Sequence, residues 1–252
     1  MQLDVIDLHE FYSRPLGAVA RRLIGRHIRQ RWRDVKGMNV FGFGFATPYL
    51  AVFRDEANRV GALMPAGRGV MTWPELGPMQ TALVDDHGLP LPDASVDRLL
   101  IVHGLESSDS IRKLLREAWR VLAQDGRLLL VVPNRRSIWS LFESTPFGHG
   151  RPFSRGQLTQ LLRDAMFTPL EWRQALFLLP LNWPLGLKWA SAWERIGGLL
   201  WPAFSGVIIV EAGKQVYAAA PSFGFEPVRG RLSPVPTGFS LPSGTARDRA
   251  KS

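Results

Sequence analysis

A buried strand, an amphipathic helix and a second buried strand follow one another in the middle of the chain. Val96 to His103 is dense in apolar residues, which is typical of a strand covered on both faces. Ser110 to Leu122 places its apolar residues on one helical face, and Arg127 to Val132 returns as a strand. Consecutive elements of this kind form a right-handed crossover between parallel strands. The pattern therefore predicts an α/β fold built on a parallel sheet.

The same alternation extends through most of the first 220 residues. Apolar residues spaced three and four apart predict a helix over roughly 15 to 33, and Thr47-Pro48 and Ser154 each mark the start of a later helix. Short apolar runs predict further strands at 38–41, 59–64, 80–84, near 170–178 and at 206–218. We expect one domain over residues 1–220.

Two later segments depart from this alternation. Residues 181–204 hold four of the nine tryptophans, and this insertion could cover a hydrophobic ligand, dock a partner protein, lie against a membrane surface or form a packed subdomain. Residues 221–252 are rich in Pro, Gly, Ser and Arg and lack hydrophobic periodicity. We expect this basic tail to be disordered, because it cannot bury enough apolar surface to offset the loss of chain entropy.

Composition narrows the possible classes of function. The chain has no cysteine, which excludes disulfide frameworks, thiolate metal sites and cysteine nucleophiles. Its net charge of +9 fits either an anion-binding surface, such as one for RNA or a membrane, or dispersed solvated arginines. The N-terminus is acidic and unlike a signal peptide, and the apolar run at 176–187 is broken by prolines and too short to span a bilayer. We expect a cytoplasmic protein.

A glycine turn, Val40-Phe41-Gly42-Phe43-Gly44-Phe45-Ala46, joins the first predicted strand to a helix. Glycine permits a sharp turn and the close approach of a ligand to the backbone, but it also permits tight strand–helix packing. The turn alone does not distinguish a binding loop from a packing device.

Two further blocks follow this turn in a fixed order. Asp85-Asp86 stands after a predicted strand and before Leu89-Pro90, and the segment from Arg116 to Leu130 contains Arg-Glu, Arg-Val-Leu and a turn before a strand. Together the three blocks resemble the class I S-adenosylmethionine-dependent methyltransferases, in particular the type 11 branch, over roughly residues 36 to 170.

The resemblance implies a Rossmann-like, doubly wound and mostly parallel sheet of about seven strands, with an N-terminal helix and a helical insertion before the last strand. It implies transfer of a methyl group from S-adenosylmethionine to an unidentified small-molecule acceptor, for which a hydrophobic compound is one option. It also implies a set of cofactor-binding residues at the strand ends: Tyr12, Gly42, Phe43, Gly44, Ala46, Met64, Asp85, Asp86, His103 and Gly104. Of these, Asp85 occupies the position that accepts a hydrogen bond from the adenine amino group in the family.

The sequence departs from the family pattern at three places. Val40 stands where the family has an acidic residue, Ala46 stands where it has glycine, and no acidic residue ends the second strand, where Met64 could pack on the adenine instead. These departures leave two alternatives open: a degenerate methyltransferase fold that serves as a binding or scaffold protein, and, because of the basic charge, a nucleic-acid methyltransferase, although no DNA partner is expected. Bulky side chains filling the pocket would favour the scaffold.

Two residues could act beside the cofactor. His103 follows the fourth strand and is either a general base for the acceptor or a residue that shapes the pocket. Tyr12 precedes the first predicted helix and either folds over the cofactor as part of a lid or packs beneath the helix start. The remaining histidines show no spacing typical of metal ligands, and we expect no metal site.

Overall fold

A computed structural model describes residues 3–180, 190–201 and 204–215. Seven strands and six helices are described in this part of the chain. The helices are α1 (Val5–Ser13), α2 (Pro15–Arg31), α3 (Thr47–Leu50), α4 (Ile111–Val121), α5 (Arg155–Asp164) and α6 (Ala190–Leu200). The strands are β1 (Asn39–Gly44), β2 (Arg59–Pro65), β3 (Thr81–Val84), β4 (Val96–Val102), β5 (Leu122–Pro133), β6 (Phe167–Ala175) and β7 (Val207–Lys214).

The strands form one sheet in the order β3-β2-β1-β4-β5-β7-β6. β1 pairs in parallel with β2 and β4, β2 with β3, and β4 with β5, whereas β7 runs antiparallel to both β5 and β6. This is the mostly parallel α/β sheet of about seven strands that the sequence predicts. The strand order reverses between β1 and β4, and ligands of open α/β sheets bind at the carboxyl ends of the strands at such a reversal.

Helices cover both faces of the sheet. Apolar residues of α1, α2 and α3 pack on one face against alternate residues of the strands, including Val40, Ala62, Leu100 and Leu129. α4 and α5 pack on the other face against Phe41, Leu99, Leu128 and their neighbours. The first face matters most here, because α1 and α2 lie over the carboxyl and amino ends of the strands, respectively.

Several helix starts follow directly from the sequence. The Ser154 side chain accepts a hydrogen bond from the backbone of Gln157, and the Gln157 side chain accepts one from the backbone of Ser154, which completes a capping box at the predicted start of α5. Asp4 and Asp7 form the same arrangement at the start of α1. The helix after the glycine turn is shorter than its pattern indicates: α3 has four residues and continues only as a 3₁₀ turn at Ala51–Phe53.

Helix α6 belongs to the tryptophan-rich insertion, and it has the inverse of the usual amphipathic pattern: its polar and small residues face inward and its large apolar residues face outward. Its inward side carries Ala190, Gly197 and the carboxylate of Glu194, which accepts hydrogen bonds from the backbone of Leu176 and Phe177. Its large apolar residues are exposed: Trp193 by 45%, Ile196 by 48% and Leu199 by 81%. Residues 181–189 of the insertion and the predicted tail 221–252 lie outside the described residues. Among the described helices, none has the length and hydropathy needed to cross a membrane.

Candidate functional site

The glycine turn brings β1 very close to β4. Gly44 has a φ of +84°, and a Cβ at this position would lie 2.3 Å from the carbonyl oxygen of Val102. A Cβ at Gly42 would meet the side chains of Ala46 and Leu50 at 2.5 and 2.7 Å. Both positions therefore require glycine: Gly44 because β1 lies against β4, and Gly42 because β1 lies against the helix that follows it.

The space over this turn is filled by α1. The ring of Tyr12 stacks on Phe45, with centroids 5.7 Å apart and planes 18° from parallel, and both side chains are buried. Phe43 points to the opposite face of the sheet, where a Cβ on Gly104 would lie 2.7 Å from its ring. Tyr12 therefore lies where the sequence predicts it, beside the glycine turn, and in this conformation it covers the turn.

Four side chains from distant parts of the chain form one buried hydrogen-bonded series. The Tyr49 hydroxyl donates to the Tyr12 hydroxyl at 3.0 Å, which leaves the Tyr12 proton free to donate to Nε2 of His103 at 2.8 Å. On its other side, Nδ1 of His103 lies 3.2 Å from Oε1 of Glu106. These contacts fit a neutral imidazole protonated on Nδ1. The series fixes both the tautomer and the orientation of His103.

His103 occupies an unusual backbone position. Its φ is +52°, a left-handed conformation that costs a non-glycine residue free energy, and such residues cluster at functional sites. Both the imidazole and Glu106 are nearly inaccessible to solvent, at 3% each for the side chains. Oε2 of Glu106 has no hydrogen-bond partner among the residues that the structure describes. The His103–Glu106 pair is thus a buried polar group with unused hydrogen-bonding capacity.

Burial keeps both tyrosines protonated. Removal from water raises the pKa of Tyr12 well above its usual 10, and the Tyr49 hydroxyl and Glu106 raise it further. Burial likewise raises the pKa of Tyr49, although the hydrogen bond with Tyr12 opposes this. Neither phenol supplies a phenolate near neutral pH, so the group in this series that can accept a proton is Nε2 of His103 once its bond to Tyr12 is broken.

Arg68 closes the site from the β2 side. It lies in the 3₁₀ turn Ala66–Arg68 directly after β2, and its guanidinium donates to the carbonyl oxygen of His103. Burial lowers the pKa of Arg68, while Glu106 and Asp86 oppose that shift. Arg68 was not predicted from the sequence. At the end of the second strand we looked only for an acidic residue, whereas the sequence there offers Gly67 followed by the basic Arg68.

An aromatic wall borders the opposite side of His103. The Phe147 ring lies 5.0 Å from the imidazole, centroid to centroid, and packs edge-on against Trp139 at 5.5 Å. Trp139 is itself held by a 2.7 Å hydrogen bond from its Nε1 to the carbonyl oxygen of Leu178. Both residues follow β5 in the 3₁₀ turns Ile138–Leu141 and Pro146–Gly148, where the sequence has no periodic pattern that would mark them as part of a site.

A cavity of about 210 Å³ opens beside this cluster, at the carboxyl ends of β2 and β3. Its lining includes Arg68, Asp85, Asp86 and Ser107. Oδ1 of Asp85 accepts a hydrogen bond from the backbone of His87 at 2.8 Å, and burial raises the pKa of Asp86, against the effect of the charge of Arg68. A Cβ at Gly67 or Gly88 would meet nothing within 4 Å, so the backbone around this cavity is accessible.

Comparison with known proteins identifies this arrangement. Residues 27–130 match the family described as a methyltransferase domain, type 11. A probable S-adenosylmethionine-dependent methyltransferase of Mycobacterium tuberculosis, found in two strains, is 37% identical over 97 residues, which is 38% of this chain and 34% of the relative. Residues 27–130 are therefore similar to a type 11 methyltransferase domain, and the chain spans about a third of the length of the curated relatives that it matches.

Solved structures share the fold of this chain. A methyltransferase from Archaeoglobus fulgidus matches with a TM-score of 0.57 at 17% identity, covering 77% of this chain and 94% of that one. The Haloferax volcanii methyltransferase solved with its Trm112 activator matches at 0.56 and 16% identity, over 76% and 88%. The [4+2]-cyclase SpnF matches at 0.53 and 20% identity, over 78% and 81%, so the same fold also serves a protein named for a different reaction.

The residues at this site fit a cofactor only in part. A cavity of 210 Å³ is below the roughly 300–1,000 Å³ of pockets that hold a whole small molecule, so it has room for a portion of the size of a nucleobase. Met64 is not among its lining residues, because its side chain is buried and its sulfur accepts a hydrogen bond from the backbone of Met71. Tyr12 fills the space over the neighbouring glycine turn.

Proposed function

We propose that this chain is an S-adenosylmethionine-dependent methyltransferase that acts on a small-molecule acceptor, and that it binds its cofactor only when α1 withdraws Tyr12 from the glycine turn. The observation that supports this most directly is that three predicted site residues lie at one edge of the sheet. His103 follows β4, Asp85 follows β3, and Tyr12 of α1 lies over the turn that follows β1. This is the edge at which the strand order reverses and at which open α/β sheets bind ligands.

In this proposal, Asp85 accepts a hydrogen bond from the adenine amino group in the cavity that is already open. The backbone between Gly42 and Gly44 then lies beside the rest of the cofactor, as the family resemblance implies. S-adenosylmethionine supplies an activated methyl group when it is bound. What the protein must supply is alignment and the exclusion of water, which the aromatic wall of Phe147 and Trp139 beside His103 is placed to provide.

His103 would handle the proton that the acceptor loses. Withdrawal of Tyr12 breaks its bond to Nε2, and that nitrogen is then an unprotonated acceptor held in place by Glu106. An acceptor hydroxyl or amine within hydrogen-bonding distance of Nε2 could transfer its proton there. The adjacent rings of Phe147 and Trp139 favour an acceptor with apolar character, and the α6 side of the tryptophan-rich insertion is proposed to cover it.

Calorimetric titration of the full chain with S-adenosylhomocysteine, the demethylated product, tests the binding part. We expect binding, and we expect Asp85→Ala to weaken it about tenfold, the effect of losing one hydrogen bond to a ligand. Asp125→Ala, at an exposed position among the first residues of β5 and away from the cavity, is the matched control and should bind as the wild type does.

Hydrogen exchange tests the movement of α1. If binding requires withdrawal of Tyr12, amides of Val5–Ser13 should exchange faster when S-adenosylhomocysteine is present. Binding with unchanged exchange in α1 would show that the cofactor enters without displacing Tyr12. Absence of binding to the folded chain would refute the methyltransferase proposal altogether.

The alternative is a binding or scaffold protein with a methyltransferase fold. The filled turn favours it, because Tyr12 and Phe45 are fully packed there. The exposed apolar side of α6 is the surface through which such a protein would engage a partner. A chain that fails to bind S-adenosylhomocysteine even after Tyr12→Ala substitution would support this alternative.

A further inference from the structure

Two half-buried arginines stand directly opposite each other on neighbouring strands. Arg98 of β4 and Arg127 of β5 are register partners in the parallel pair, so their side chains emerge side by side on the sheet face that α2 covers. Like charges in directly opposed positions destabilise a sheet. This arrangement lies at the amino ends of the strands, about 16 Å along β4 from His103 at a rise of roughly 3.3 Å per residue.

Neither arginine forms a salt bridge with any residue in the described part of the chain. Among the described residues, Arg98 donates a hydrogen bond to the carbonyl oxygen of Asp97 alone, at 2.8 Å, and Arg127 donates to the carbonyl oxygens of Asp125 and Gly126 alone. Burial lowers the pKa of Arg98 and the charge of Arg127 lowers it further, while the charges of Glu211 and Asp97 oppose this shift. Two guanidinium groups are therefore partly desolvated, with no salt bridge to a carboxylate in the described part of the chain.

The carboxylates nearby are already engaged. Glu211 is buried and accepts hydrogen bonds from Arg31 and from Nε1 of Trp32. Glu171 pairs with Arg31 at 2.9 Å and with Arg173. Both carboxylates form their salt bridges with the arginines of α2 and β6, and neither forms one with the facing pair in the sheet, although the charge of Glu211 still acts on Arg98.

The facing pair opens into a cavity of about 460 Å³ between α2 and the sheet. Five arginines and three carboxylates line it, together with His27, and the arginines are Arg31, Arg33, Arg98, Arg127 and Arg173. The planar donors of arginine match the oxygens of a phosphate group in bidentate geometry. The volume lies within the range of pockets that hold a nucleotide-sized molecule.

We infer that this cavity, separate from the methyltransferase site, binds the phosphate group of a soluble small molecule between Arg98 and Arg127. A phosphate there supplies the directly bonded anionic partner that Arg98 and Arg127 lack among the described side chains. It also removes the repulsion across the β4–β5 pair, so ligand binding and the stability of the sheet are coupled.

Calorimetric titration with pyrophosphate tests the site directly. The wild type should bind, and Arg98→Gln and Arg127→Gln should each weaken binding at least tenfold. Arg116→Gln is the matched control, because Arg116 is exposed on α4 at the opposite face of the sheet and should leave binding unchanged. ADP and adenosine are titrated in parallel. A higher affinity for ADP than for pyrophosphate identifies a nucleotide as the ligand class. Equal affinities for ADP and pyrophosphate identify the phosphate group alone as the ligand.

Thermal unfolding gives a second readout that a folding defect does not mimic. Arg98→Gln should raise the melting temperature without ligand, because it removes a like-charge pair. Pyrophosphate at about 100-fold excess over its Kd should raise the wild-type melting temperature by about 5 °C or more and leave that of Arg98→Gln nearly unchanged. If neither pyrophosphate nor ADP binds, or if the variants bind as the wild type does, the inference is wrong.

Discussion

The Tyr12 hydroxyl lies 2.8 Å from Nε2 of His103, although the two residues are 91 positions apart in the chain. One hydrogen bond thus holds α1 down on the sheet and occupies the nitrogen that could accept a proton. Within the proposed function, the closed conformation is inactive, because Tyr12 covers the glycine turn and its hydroxyl occupies Nε2 of His103, the candidate base. The equilibrium of α1 then sets the apparent affinity for the cofactor.

Replacing Tyr12 by Phe should shift that equilibrium toward the open form. The ring can still stack on Phe45, but the hydrogen bonds to His103 and from Tyr49 are lost, at a cost of about 1–3 kcal/mol to the folded protein. Since the loss falls on the closed conformation, S-adenosylhomocysteine should bind up to about tenfold more tightly, as calorimetry would measure. An affinity that does not change would mean that Tyr12 stays in place when the cofactor binds.

Replacing Gly44 by Ala should destabilise the protein by more than about 2 kcal/mol, because it combines a left-handed backbone with a contact of 2.3 Å to the carbonyl oxygen of Val102. Gly88→Ala is the comparison, since its Cβ meets nothing within 4 Å. Urea denaturation of the two variants should separate them clearly. Equal stabilities would show that β1 and β4 do not approach each other this closely.

His27 should make the protein less stable in mild acid. Burial lowers its pKa below 6.5, and the charges of Arg173 and Arg26 lower it further. Between pH 6.5 and the lower folded-state pKa, the unfolded chain takes up a proton that the folded chain does not, so the free energy of unfolding falls as pH falls. Urea denaturation from pH 7 to pH 5 should therefore show a smaller loss for His27→Gln than for the wild type. A larger loss in the variant would contradict the direction of this shift.

The inverted helix α6 predicts an unusual pattern of mutational effects. Gly197→Ala should cost about 1–3 kcal/mol despite the better helix propensity of alanine, because its Cβ would lie 2.4 Å from Cβ of Phe177. Leu199→Ser should change the free energy of unfolding by less than about 0.5 kcal/mol, since Leu199 is exposed. Chemical denaturation measures both. A large effect of the serine substitution would place Leu199 in a buried contact.

The sheet was predictable because its strands are strongly marked. The apolar runs at β2, β4 and β5 and the amphipathic α4 leave little choice of element type, and Ser154 identifies the start of α5. Helix α1 was not predicted. A helix of nine residues is only marginally stable in isolation. This one depends on its tertiary contacts and on the capping box formed by Asp4 and Asp7, which was not recognised in the sequence.

The candidate site was predictable in its members more than in its contacts. The family resemblance drew attention to Tyr12 and His103, but nothing local shows that they bind each other or that Glu106 and Arg68 join them. The role of the glycine turn could not be decided from the sequence, which allowed either a ligand-binding loop or tight packing. The close contacts around Gly42 and Gly44 explain both glycines by packing, and they do not exclude a ligand-binding loop.

The facing arginines could not be found from sequence at all. Arg98 and Arg127 are 29 positions apart and look like ordinary polar residues at strand starts; only the register of β4 against β5 brings them together. Pairing is the step that local periodicity does not specify.

Strand β4 leads into His103 at one end and carries Arg98 near the other, and it lies between β1 and β5 in fixed register. A slip of one residue would turn every side chain of the strand to the opposite face. The packing that holds Leu99 and Ile101 against α4 therefore fixes both the guanidinium of Arg98 at its cavity and the imidazole of His103 in its hydrogen-bonded cluster. Evolution of either site is constrained by the other, because any insertion or deletion in this strand would misalign both at once.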